Sequence, residues 1–224
     1  MVEPYAVFET FMSTNYPDYS WEPLSATTSD EYELTLFHLW KEGEMDDEKT
    51  PLLFQHGHYL SALNWLEYFT NYGGGEPAIF FDAIDEGHHV YLGNLRGTEW
   101  STGHASLDYQ IEADQQAYWD FSHGDYYKDV IANGQAIKEN FTGTEKPVYV
   151  GYSQGTVQLL IGLTLVESEI TDLYQRAVLL APCTIFGTDA DEDRSPETVG
   201  TIGTGRSRGI YSVPQTVPGV WADT

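Results

Sequence analysis

The chain has 224 residues, 41% hydrophobic and 14% aromatic, which is enough apolar material to bury a core and excludes an intrinsically disordered chain. Thirty-five acidic against ten basic residues give a formal charge of -25, which repels phosphate backbones and anionic membranes and excludes nucleic acid as a natural partner. The single cysteine, Cys183, excludes an intrachain disulfide, and its place in the apolar run from Ala177 predicts a small buried side chain.

The opening Met-Val-Glu-Pro-Tyr has neither the basic nor the apolar stretch of a secretory signal. Residues Glu31 to Trp40 read as a strand, and the acidic segment Glu42 to Glu48 as an exposed loop or hairpin. Pro51 to Gln55 predicts a short strand that is apolar on both faces, as parallel strands covered by helices are. Ser61 is placed to cap a helix through Leu63, Trp65, Leu66 and Phe69, with Asn71 and Gly73 to Gly75 ending it. A strand at His89 to Leu92, a loop over Gly93 to His104 and a helix over Asp125 to Asn140 follow. Val148 to Gly151 then reads as a buried strand, Gly155 to Glu167 as a helix and Ala177 to Ala181 as a last strand. Strands alternating with helices predict an α/β fold built on a doubly wound, mostly parallel sheet. The apolar run Leu159 to Val166 is too short to span a bilayer, so no transmembrane segment is expected.

The chemical signal is Gly151-Tyr152-Ser153-Gln154-Gly155, set between an apolar strand and an apolar helix. A nucleophile elbow needs that arrangement: the serine sits on a strained strand-to-helix turn, and the flanking glycines, Gly151 and Gly155, let strand and helix approach. The helix N-terminus beyond it supplies donors and a dipole for a developing oxyanion. The bland alternative is a serine that only caps the helix. His88 and His89 lie outside any carboxylate-and-histidine spacing typical of a metal site, and no metal or cofactor is expected. His104 and His123 read as solvated loop residues. Asn140-Phe141-Thr142 fits a glycosylation acceptor, relevant only if the chain is secreted.

With the elbow stand several further stretches: Leu53-Phe54-Gln55-His56-Gly57, Asn64-Trp65, Gly87 followed by Val90 to Trp100, Trp119-Asp120-Phe121-Ser122 and Leu180-Ala181-Pro182. In their order and spacing, over roughly Phe8 to Phe186, they resemble the N-terminal part of the acid lipase family, which includes the gastric and lysosomal lipases. The resemblance implies an α/β-hydrolase fold, a lipid or other ester substrate, and a secreted or lysosomal location with transient contact at lipid surfaces. It implies that Ser153 is the acyl nucleophile and that the backbone N–H groups of His58 and Gln154 form the oxyanion hole. His58 departs from the apolar residue usual in the family, while His56 belongs to the turn motif and is expected to be structural. By the same resemblance, residues 1–186 are a partial core and 187–224 the start of a cap or a poorly ordered tail, with the cap and last strands absent.

All seven histidines precede Ser153, whereas the triad order of this fold is serine, acid, histidine. Asp172, Asp189, Asp191 and Asp193 follow the serine, but none ends a strand. Without a base the hydroxyl is a poor nucleophile, so the chain alone is expected to be almost inactive. Either a second chain or segment supplies the aspartate and histidine, or the chain is a non-catalytic pseudo-hydrolase that binds lipid or a partner. Ala177 to Ala181 is expected to form an apolar sheet edge.

Overall fold

The computed structural model describes residues 4–71 and 78–183. The expected helix terminators Gly73 to Gly75, the side chain of Phe69, the aspartates 189, 191 and 193, and the division at 187–224 lie outside the described residues.

Helix α1 (Ala6–Asn15) leads into strands β1 (Ser20–Thr27) and β2 (Tyr32–Trp40), then β3 (Leu52–Gln55), α2 (Ala62–Asn71), α3 (Ile79–Asp85) and β4 (Val90–Gly93). A two-residue strand β5 (Gly103–His104), α4 (Glu112–Tyr118), α5 (Tyr127–Asn140), β6 (Val148–Tyr152), α6 (Gln154–Leu165), α7 (Glu167–Leu173) and β7 (Arg176–Leu180) complete it. The sheet runs β1-β2-β4-β3-β6-β7, with β5 beside β2. β2 is antiparallel to β1 and β4, while β3, β4, β6 and β7 are mutually parallel.

The two-sided apolar strands explain the layers. Leu53, Tyr91 and Tyr149 stand in register on one face, where α5, α6 and α7 supply Val130, Leu159 and Leu173. Phe54, Leu92 and Val150 stand on the other, against Phe8 of α1, Trp65 of α2 and Phe80 of α3. Strand periodicity of two, with both faces covered, makes this a doubly wound α/β sheet. Helix α6 ends at Leu165, earlier than expected, and α7 starts again at Glu167, with Val166 at φ -143° between them. α1, β1, α3, α4 and α7 were not foreseen in the sequence.

Ser61 does not cap α2 through its hydroxyl as expected. Asn64 Oδ1 accepts from Ser61 N at 2.7 Å, and Asn94 Oδ1 accepts from Ala62 N at 2.9 Å. The expected sheet edge is present: β7 is the outermost described strand, with Val178 and Leu180 exposed.

Beside β4, Arg96 is 1% exposed and binds the fully buried Asp129 of α5 with Nε to Oδ1 at 2.7 Å. Its Nη1 reaches Asp30 at 2.8 Å, Lys128 joins Asp30 at 2.9 Å, and the guanidinium lies 4.2 Å from the Tyr32 ring centroid. Burial alone lowers Arg96, but the two carboxylates outweigh it and raise it further above its ordinary value. Burial pushes Asp129 up against the pull of Arg96. Replacing Arg96 with leucine leaves a buried carboxylate uncompensated and should cost about 3–5 kcal/mol in urea unfolding at neutral pH. The deficit should shrink in acid, where Asp129 takes up a proton in the variant.

Candidate active site

Ser153 falls between β6 and α6 with φ 51° and ψ -113°, a left-handed conformation that costs a non-glycine residue on the order of 1–3 kcal/mol. Its neighbours fix it there. Ser153 N donates to Leu180 O of β7 at 2.9 Å, and its carbonyl accepts from both Thr156 N and Thr156 Oγ1. The corner is closely packed: a Cβ on Gly155 would lie 2.6 Å from Gln55 O, and one on Gly151 would lie 2.7 Å from Gly155 O. Across the corner, a Cβ on Gly57 would stand 3.1 Å from Ser153 Cβ, so the turn after β3 presses directly on the serine. Bare backbone at these positions is what lets β3, β6 and α6 converge.

Gln154 opens α6, where first-turn amides lack an acceptor within the helix, and its side chain is largely buried. His58 lies on the facing turn, and its Nδ1 is 2.9 Å from Gln154 Oε1. The structure therefore brings Ser153, Gln154 and the segment His56 to Tyr59 together at the C-terminal ends of β3 and β6. In a doubly wound sheet ligands bind at these ends. Tyr59, with φ 58°, is a second left-handed residue in this small region. Nothing in the local sequence marks it.

The histidines divide by environment. His56 is buried, donates from Nδ1 to Gly57 O at 2.8 Å and accepts Leu95 N at Nε2. Both its nitrogens serve the backbone, and burial holds it down at about 4. His123 and His104 are half-buried rather than fully solvated as expected. His123 sits in a short 3-10 turn with its ring 5.7 Å from that of His58, pushed down to about 4 by burial and by His58, while His104 packs edge-on against Tyr32. Burial also lowers His58, His38 and His89.

Cys183 is not fully buried as expected: half-exposed, its Sγ lies 3.8 Å from Ser153 Oγ. Asp172 lies exposed on α7 rather than at a strand end. Among the tryptophans, Trp65 meets the elbow residue Tyr152 at 6.1 Å, whereas Trp100 packs on Phe8 and Phe37, and Trp119 on Tyr118. Asn140 ends α5 exposed, with its amide turned onto Ala136 O. Among the described residues no helix is long and apolar enough to cross a membrane.

The strand order, the covered parallel core and the strand-to-helix corner define an α/β-hydrolase fold. No family model matches the chain. It is 31% identical to human "Lipase member M" over 186 residues, which are 81% of this chain and 41% of that protein. It is 30% identical to "Triacylglycerol lipase 1" of Arabidopsis thaliana over 166 residues (74% and 39%). With the human "Lysosomal acid lipase/cholesteryl ester hydrolase" it shares 32% identity over 152 residues (66% and 35%). The chain belongs to the acid lipase-like family, and it spans about two fifths of the length of these relatives. Among solved structures, brefeldin A esterase, described as a bacterial homologue of human hormone sensitive lipase, is 16% identical with a TM-score of 0.49, over 77% of this chain and 44% of that one.

A histidine held below its ordinary value is neutral in the folded state, while the unfolded chain binds a proton near 6.5. Stability is therefore fully present above pH 6.5 and is lost as the pH falls toward 4. For the buried His56, the gap between 6.5 and about 4 corresponds to about 3 kcal/mol. Thermal unfolding followed from pH 7 to 4 should show a steadily falling midpoint, less steep in a His56→Asn variant.

Proposed function

We propose that this chain carries the nucleophile of a carboxylic ester hydrolase acting on lipid esters. The observation that carries the reading is Ser153 at φ 51° on a tight strand-to-helix corner, a strain that a purely structural serine has no reason to hold. Ser153 Oγ bonds to the acyl carbon while its proton passes through a base to the departing alkoxide, releasing an alcohol. Water then attacks the acyl-enzyme, and cleavage of the Ser153 ester bond gives the acid and restores the hydroxyl. The backbone N–H groups of His58 and Gln154 receive the oxyanion at each stage.

In this reading the acid and base come from a further segment or a second chain, since every histidine here precedes Ser153 and the chain spans only about two fifths of the length of its relatives. The relatives' names, triacylglycerol lipase and lysosomal acid lipase/cholesteryl ester hydrolase, support lipid esters as the substrate class and a secreted or lysosomal setting. The charge of -25 restricts contact with anionic lipid surfaces to transient encounters. A non-catalytic lipid-binding role is the competing reading, favoured by the order of serine and histidines.

Intact-mass measurement after fluorophosphonate treatment tests the proposal. The chain should gain one adduct slowly, lose it in Ser153→Ala, and form it orders of magnitude faster once a segment carrying the acid and base is supplied. Failure to label Ser153 under any of these conditions removes the hydrolase reading and leaves the binding module.

A further inference from the structure

The two proposed oxyanion donors stand on different elements: His58 on the turn after β3, and Gln154 at the start of α6. Their amides can hold a developing charge only if the two elements keep a fixed separation, because such stabilisation falls steeply once a donor leaves hydrogen-bond range. Three features bear on that separation. The turn is strained, with Tyr59 at φ 58°, and a conformation of this kind persists only where its surroundings over-determine it. Its lower end is anchored, since His56 joins Gly57 O and Leu95 N within the core. Its upper end is joined to α6 by a side-chain hydrogen bond, His58 Nδ1 to Gln154 Oε1 at 2.9 Å.

The chemistry of that bond fixes the state of the ring. An amide oxygen only accepts, so Nδ1 must carry the hydrogen and neutral His58 is the Nδ1–H tautomer, with Nε2 as its acceptor nitrogen. Gln154 in turn must present its oxygen, not its NH2, to the ring. The Tyr59 ring, with its centroid 3.7 Å away, covers the imidazole, and His123 stands beyond it at 5.7 Å. An apolar residue at position 58 would contribute volume here but no bond to α6.

We propose that His58 is a positioning residue: its imidazole and the Gln154 side chain form a clasp that holds the two oxyanion-hole amides in register across Ser153. The role rests on the ester-hydrolase reading, and the clasp itself does not. It acts through the backbone and requires no proton transfer by His58. The imidazole therefore sets how well the oxyanion hole is formed and leaves the identity of the base untouched.

Two measurements on the full 224-residue chain decide it. In the first, histidine imidazole nitrogens are labelled with 15N and followed by NMR. His58 should show the Nδ1–H tautomer, revert toward Nε2–H in Gln154→Leu, and titrate at higher pH in Gln154→Glu, whose carboxylate favours the imidazolium. An Nε2–H tautomer in the wild-type chain, or a His58 titration indifferent to both variants, overturns the clasp.

The second measurement is the rate at which fluorophosphonate modifies Ser153, because the phosphoryl oxygen of that reagent occupies the oxyanion hole. His58→Leu should slow modification about tenfold, less than the 10²–10³ lost when a donor is removed outright. His58→Asn, whose amide N–H can replace Nδ1–H, should recover most of the rate. Gln154→Leu should match His58→Leu, which guards against a misfolded single variant. Wild-type modification with equal rates in all three variants overturns the positioning role and leaves the hydrolase reading standing. No modification of the wild type, with or without a segment carrying the acid and base, overturns the reading and the positioning role together, whatever the NMR shows.

Discussion

The constraint on which the rest of the architecture depends is the convergence of three backbones at one point. Strand β6 ends, helix α6 begins, and the end of β3 passes between them so closely that a methyl group on Gly155 would fall 2.6 Å from Gln55 O. Ser153 takes a left-handed conformation because the chain must reverse there without moving away from β3. Parallel pairing on both sides holds the reversal: β6 is hydrogen-bonded to β3 and to β7, and Ser153 N itself donates to β7. The sheet thus confers rigidity on a conformation that the residue would not choose.

A second buried assembly holds the opposite side of the same strand ends. Arg96 and Asp129 tie the loop after β4 to α5, while Asn94 ties it to α2 and β2 and His56 accepts from Leu95. Such groups are costly to bury unless each is satisfied, and here nearly every donor of the guanidinium meets a carboxylate. The segment from Asn94 to Arg96, with no residue in the proposed chemistry, is therefore the bracket on which the His56 turn rests.

Charge is divided between surface and interior. Acidic residues dominate the exterior, whereas most of the histidines are buried enough to be held neutral below their ordinary range. Histidine is the side chain that ordinarily titrates between pH 5 and 8, so burying it makes acidification a direct challenge to the fold. His58 belongs to this group and lies in the candidate site, where its neutrality leaves one nitrogen to donate and one to accept.

The layered sheet was legible in the sequence because strands apolar on both faces, such as Leu52 to Gln55 and Val148 to Val150, have few other uses, and their alternation with helices restricts the topology. The elbow was legible because Gly-x-Ser-x-Gly between such a strand and a helix states its own geometry. α1, β1 and α3 were not, since their apolar residues gain meaning only against partners distant in the chain: Phe8 stacks on Phe37, and Tyr16 on Phe81. The half-burial of His123, the half-exposure of Cys183 beside Ser153 and the bond from His58 to Gln154 were equally hidden. Local periodicity and turn chemistry by themselves determined strands β2, β3, β4, β6 and β7, the corner and the residue presented on it. Only the tertiary structure decided which polar side chains meet around that corner, because those contacts span 30 to 96 residues of chain and no local pattern encodes them.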